Sequence, residues 1–220
     1  MKQLLLILLC IAAPAEAQNW SVGVGSGPFV FGHFVRRTTR VATPDGSATQ
    51  TLTLSAATRA GVSVDVERNF SDRFAVRLEG SFTRAPLAVK GDDRQDDAVD
   101  IPAGDIDVAT IMLPLVLRIN PRGTFRFHIM GGPAAAAYTI RTRTNAAGSI
   151  PIFRGTRTEL GAAFGAGMAW QWSERFAVEG TVIDINTSSP FREDEIGGLG
   201  SVEIERPDNL HSILGIRYRF

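Results

Sequence analysis

From Thr51 to Glu67 apolar and polar side chains alternate almost without interruption. Leu52, Leu54, Ala56, Thr58, Ala60, Val62, Val64 and Val66 fall on one face. Thr51, Thr53, Ser55, Arg59, Ser63, Asp65 and Glu67 fall on the other. A period of two is that of a strand whose two faces meet different surroundings. The run far exceeds the ~5–6 residues usual in soluble sheets. It suits the ~9–11 tilted residues that cross a bilayer, with an extension beyond it.

The same reading along the chain gives eight candidate strands, at 20–39, 51–69, 74–87, 106–119, 125–143, 158–172, 176–187 and 210–220. Their connections alternate in length. Residues 69–73, 120–124 and 173–175 are tight and rich in turn formers, whereas 40–50, 88–105, 144–157 and 188–209 are longer and polar. An even strand number with short turns at one end and long loops at the other predicts an all-β, eight-stranded antiparallel up-and-down transmembrane barrel. A faint repeat supports the count. Ser71-Asp72-Arg73-Phe74-Ala75-Val76 resembles Ser173-Glu174-Arg175-Phe176-Ala177-Val178, four strands later. Convergence on a good turn sequence accounts for it equally well.

Residues 1–17 read as a secretory signal peptide. Lys2 precedes an apolar stretch from Leu4 to Ala13, and Ala15-Glu16-Ala17 is a small-x-small cleavage site. The barrel domain is then 18–220. The single cysteine, Cys10, lies inside the leader, and Leu9 before it disfavours lipoprotein processing, so the mature chain is expected to form no disulfide. Formal net charge is zero, which argues against a nucleic-acid binder held by bulk positive charge.

Ten of the 18 aromatic residues flank the short turns or the termini: Trp20, Phe70, Phe74, Phe125, Phe127, Trp170, Trp172, Phe176, Tyr218 and Phe220. Amphipathic rings favour the headgroup level, so these predict an aromatic girdle at one rim. Phe29, Phe31, Phe34, Phe82 and Tyr138 are expected to form a second girdle near the long loops. The chain ends in Gly215-Ile216-Arg217-Tyr218-Arg219-Phe220, with Ile216, Tyr218 and Phe220 on one face. This ending resembles the C-terminal insertion signal of Gram-negative outer-membrane proteins, which assigns Gly215, Tyr218 and Phe220 to assembly. With the leader and strand pattern, the chain resembles the small eight-stranded outer-membrane β-barrel superfamily that includes OmpA transmembrane domains, OmpX and opacity-type proteins. The resemblance implies a monomer in the cell outer membrane of a Gram-negative bacterium, reached after Sec-type signal cleavage. Its partners would be outer-membrane lipid, lipopolysaccharide and the barrel-assembly machinery.

If apolar residues face lipid, the other face lines the lumen. An interior charge network is expected from Arg59, Asp65, Arg77, Glu79, Arg126, Glu179, Arg217 and Arg219, with Glu67, Arg118, His128, Arg141 and Arg143 on the same face. Buried charges need partners. Gly161, Ala163, Gly165, Gly167 and Ala169 would make room for long side chains from neighbouring strands. An eight-stranded lumen is only just wide enough for its own side chains, so a wide channel is not expected. On this assignment Tyr138 and Ile140 face lipid together with Phe125 and Phe127, which requires a register slip across Pro133–Ala137. Pro114 and Asp184 also interrupt their strands.

No residue set meets the geometric roles of a hydrolase. His211 and Ser212 are adjacent and point to opposite faces. Asp92, Asp93, Asp96, Asp97, Asp100, Asp105 and Asp107 cluster after the third strand, and Glu193, Asp194 and Glu195 in the last long loop, but without the spacing of a calcium loop. Neither cofactor nor metal is expected. The sequence therefore reads as a non-enzymatic barrel whose loops serve envelope integrity or surface interaction, with an unknown loop ligand. The alternatives are a narrow pore or small-solute carrier, or a lipid A-modifying enzyme.

Overall fold

The computed structural model describes residues 19–43, 46–92, 100–142, 155–192 and 201–220. The leader, Arg143, and the Asp93–Asp97 and Glu193–Glu195 carboxylates lie outside the described residues. The described residues form twelve strands: β1 (Trp20–Phe31), β2 (His33–Thr43), β3 (Gly46–Ala56), β4 (Arg59–Asn69), β5 (Phe74–Asp92), β6 (Asp100–Met112), β7 (Leu115–Arg118), β8 (Phe125–Thr142), β9 (Gly155–Gln171), β10 (Phe176–Thr187), β11 (Ser201–Ile204) and β12 (Asp208–Arg219). All pairings are antiparallel, and β12 closes on β1 from Ser21–Arg219 to Phe31–Asn209. The ring runs β1, β4, β5, β6 with β7, β8, β9, β10, β12, which makes eight walls. β2, β3 and β11 extend it at the long-loop end.

Two expected strands are each divided. Between the pairs Ala56–Leu87 and Gly61–Thr83, the β3–β4 side advances five residues while β5 advances four. The extra residue is a bulge, and a bulge exchanges the faces of everything beyond it. Leu54 and Ala56 consequently point inward, whereas Val62 and Val64, of the same parity, are exposed on the outside. The single apolar face read from Leu52 to Val66 is thus two opposite faces. β1 and β2 part similarly around His33. At Pro114 the break is only local, because β5 and β8 pair with β6 and β7 in one unbroken register.

The faces invert along the axis. At the short-turn end the outside is apolar and the lumen polar. On β5, Arg77, Glu79, Ser81 and Thr83 point inward, while Leu78 and Phe82 are exposed. Higher on the same strand the inward residues are Ala85, Leu87 and Val89. Outside, Arg84 and Arg141 both hold Asp107, at 2.5 and 2.6 Å. The upper wall therefore behaves like a soluble sandwich, with its apolar face turned to a shared core.

That core overturns the expected second girdle. Phe29, Phe31, Phe34 and Tyr138 are buried in the upper lumen with Leu54, Leu87, Ile106, Val108, Ile140 and Phe191. Only Phe82 of that set faces outward, 45% exposed. The predicted slip in β8 is likewise absent. β8 pairs with β9 without a break from Phe125–Trp170 to Ile140–Gly155, so Tyr138 and Ile140 point inward with His128. Apolar character marks the lipid face only where lipid is the less polar neighbour. Above the bilayer the lumen takes that part.

Around the short-turn rim, Phe70, Phe74, Phe125, Phe127, Trp170, Trp172, Phe176 and Phe220 are exposed, and Trp20 and Tyr218 half-buried. Phe176, Tyr218 and Phe220 stack in sequence with centroids 5.1 and 5.2 Å apart. The Arg68 guanidinium sits 5.5 Å from both the Trp20 and Phe70 rings.

Candidate functional site

The lumen holds two built layers and a recess. The lower layer starts from the turns. In Asn69–Phe74 the Ser71 Oγ accepts the amides of Arg73 and Phe74, at 3.3 and 3.0 Å. Ser173 does the same for Arg175 and Phe176, at 3.3 and 3.1 Å. Each turn launches a strand whose first inward charged residue is Arg77 on β5 and Glu179 on β10.

These two side chains meet across the lumen, Arg77 Nη2 to Glu179 Oε1 at 2.8 Å. Arg77 also donates to Glu67 Oε2 from Nε and Nη2, at 2.9 and 2.7 Å. Arg217 donates to Glu179 Oε2 at 2.6 Å and lies 2.8 Å from Asp65 Oδ1. It also reaches the Ser21 hydroxyl at 3.2 Å. Arg118 bonds to Glu67 and, at 2.5 Å, to Asn69 Oδ1. Six strands are thereby tied through one cluster. Glu67, Arg77, Glu79 and Glu179 are all at least nine-tenths buried.

Of the eight residues expected in a network, the structure brings together Asp65, Arg77, Glu79, Glu179 and Arg217. Glu79 is the loosest member, 3.9 Å from Arg77, with its Oε1 unbonded. Arg59 is exposed beside the Phe29 strand pair and stands apart, because it borders the bulge where the faces change. Arg126 and Arg219 lie at the rim of the recess rather than inside the cluster. Glu67, which touches three arginines, and Arg118 are central members that the strand pattern marked as inward without ranking them.

Glycines fit the layer together. A Cβ on Gly23 would meet Asp65 Oδ2 at 2.1 Å, and one on Gly167 would meet the His128 ring at 2.6 Å. On β9 the small residues thus admit His128 and Ile183 rather than arginine.

The upper layer is an aromatic plug. Phe34 makes edge contacts with Tyr138 and Phe191, centroids 6.2 and 5.7 Å apart. Tyr138 is anchored by Thr187 at 2.7 Å and by the Asn209 amide at 2.8 Å. The segment after β10 turns inward to deliver Phe191. Arg157 donates to Pro190 O at 2.9 Å and Arg192 pairs with Glu159 at 2.6 Å. A second apolar cluster around Met112, Met130, Ile183 and Ile185 meets the plug through Ile213. No sequence signal distinguished these inward aromatics from lipid-facing ones.

His211 is fully buried against the Phe29 ring, at 3.8 Å. His128 Nε2 is 3.5 Å from Glu179. Neither contact pairs a histidine with a hydroxyl nucleophile. No group of acids, histidines or cysteines suited to a metal occurs among the described residues.

Below the charge cluster, a recess of about 480 Å³ opens at the short-turn end, lined by Arg118, Arg126, Arg175, Arg217 and Arg219 among others.

The profile of the family described as "Outer membrane protein beta-barrel domain" matches residues 3–220. The chain belongs to this family. An outer-membrane barrel is the class of structure that hides every backbone polar group from lipid by closure, here through β1 and β12. The fold is similar to that of the outer membrane protein OprG from Pseudomonas aeruginosa, with 13% identity, a TM-score of 0.63, and coverage of 93% of this chain and 97% of that one. It is also similar to the outer membrane protein AlkL determined in DMPC lipid bilayers, with 14% identity, a TM-score of 0.51, and coverage of 95% and 93%. At such identities the likeness is one of fold. No curated protein matches the chain in sequence. Membership of the family implies the outer membrane of a Gram-negative bacterium.

Proposed function

We propose that this outer-membrane barrel is a closed, non-enzymatic envelope protein that serves membrane integrity or surface interaction through its long-loop end. The carrying observation is that the lumen is filled twice over. The Glu67–Arg77–Glu179–Arg217 cluster spans it at one level, and Phe34, Tyr138 and Phe191 at another. A lumen so occupied leaves the loops and outer wall as the surfaces that meet partners. The reading takes residues 1–17 as a cleaved leader, the barrel as a monomer, and lipopolysaccharide as its lateral neighbour.

Planar-bilayer recording from the purified chain is the test. The expected result is no stable single-channel step, and large reproducible steps would establish a pore instead. Mass spectra of lipid A from cells with and without the protein should be identical. A new acyl or phosphate pattern would make it a lipid-modifying enzyme.

A further inference from the structure

The recess at the short-turn end has a charge balance that the network above it does not use. Seven arginines line it against three carboxylates, Glu67, Asp72 and Glu179. Counting Asp65 and Glu79, which face Arg77 from behind, gives seven against five. Glu67 and Glu179 are already engaged by Arg77, Arg118 and Arg217. Asp72 lies 3.5 Å from Arg122. Among the described residues, Arg126 has only the Gly123 carbonyl, at 3.4 Å, and the Arg175 side chain has no acidic partner.

Arg126 comes from the start of β8, Arg175 from the turn before β10, and Arg118 from β7. All line the same recess, and Arg118 and Arg219 are the like charges that act on Arg126. Gathering like charges is unfavourable unless solvent or a counter-ion answers them. The wall around them has low polarity, which focuses their field into the opening. Guanidinium forks arriving from separate elements suit an anion with several acceptor oxygens.

We propose that this recess is a binding site for a compact phosphate-bearing anion, approached from the short-turn side, which faces the periplasm in outer-membrane barrels. Arg126 and Arg175 supply the charge, and Arg118 forms the inner wall. The site does not depend on whether the barrel conducts, since it lies on one side of the filled lumen. The same phosphate chemistry occurs in a soluble anion and in the headgroup of an anionic phospholipid.

The test titrates inorganic pyrophosphate into the refolded full-length barrel in neutral detergent at low ionic strength, by calorimetry. Saturable binding is expected, weakening as salt rises. The double variant Arg126→Gln with Arg175→Gln should bind about tenfold more weakly or worse. Its circular dichroism and heat-shifted gel mobility should match wild type. Asp72→Asn, which frees Arg122, should bind more tightly, a gain that misfolding does not produce. Absence of binding by wild type, equal affinity in the double variant, or equal competition by acetate at matched ionic strength would overturn the site. Repeating the titration in nanodiscs with and without phosphatidylglycerol separates the sources. Loss of pyrophosphate binding in the anionic discs assigns the site to a lipid headgroup, and retention assigns it to a soluble anion.

Discussion

Arg77 and Glu179 occupy equivalent positions in the two copies of the Ser-acid-Arg-Phe-Ala-Val sequence, and their side chains join across the lumen at 2.8 Å. The two turns also share their hydrogen bonding, Phe70 and Ser71 amides to Phe74 O matching Trp172 and Ser173 amides to Phe176 O. A repeat offset by half the barrel places its members on opposite walls. What differs between the copies, a base in one and an acid in the other, is what lets those walls bond.

Glu179→Gln should destabilise the barrel by ~3–5 kcal/mol, because it leaves Arg77 and Arg217 short of a shared buried partner. Glu79→Gln should cost much less, since its contact with Arg77 is 3.9 Å and one oxygen is already unbonded. Urea unfolding of the two variants in lipid vesicles measures the ranking. Equal losses would mean that the cluster does not bear on stability through Glu179.

Gly61 packs beneath the Phe29 ring, and a Cβ there would fall 2.4 Å from a ring carbon. Gly61→Ala should therefore destabilise by ~1–3 kcal/mol through overpacking. Phe29→Leu combined with it should recover part of the loss. A thermal melt followed by circular dichroism reads both, and an additive double variant would argue against contact between the two positions.

Removing the plug should loosen the lumen before it opens it. Phe34→Ala deletes a fully buried ring that touches Tyr138 and Phe191, at a cost of ~3–5 kcal/mol. Amides of the β2–β11 ladder should exchange hydrogen faster in the variant, while those of the β10–β12 ladder near Tyr218 stay protected. Uniform acceleration through both ladders would show that the two layers form a single cooperative unit.

Ile216 is exposed on the outer wall between Val24 and Val178. Ile216→Arg should cost ~2–4 kcal/mol if near the bilayer midplane, and less toward the rim. Deleting Phe220, which donates its amide to Trp20 O at 3.1 Å and stacks on Tyr218, should reduce insertion further. Counting folded protein in fractionated outer membranes compares them with a loop change at Asp97. Yields equal to wild type for both would mean that the terminal strand does not direct assembly.

The sequence by itself determined the strand count, the three tight turns, the lower aromatic girdle and the inward direction of Asp65, Arg77, Glu179 and Arg217. These follow from period two and from turn chemistry, which are local and survive any tertiary arrangement. Tertiary structure alone decided where the faces invert. Leu54 and Val62 share a parity and an apolar character, yet one lies in the plug and the other on the outer wall. A bulge of one residue separates them, and the chain around Ala57 carries no mark of it. Tyr138 was read as facing lipid for the same reason. Periodicity reports that a strand has two unlike faces, but which face is buried depends on what stands opposite. For Tyr138 that is Phe34 and Asn209, 104 and 71 residues away in the chain.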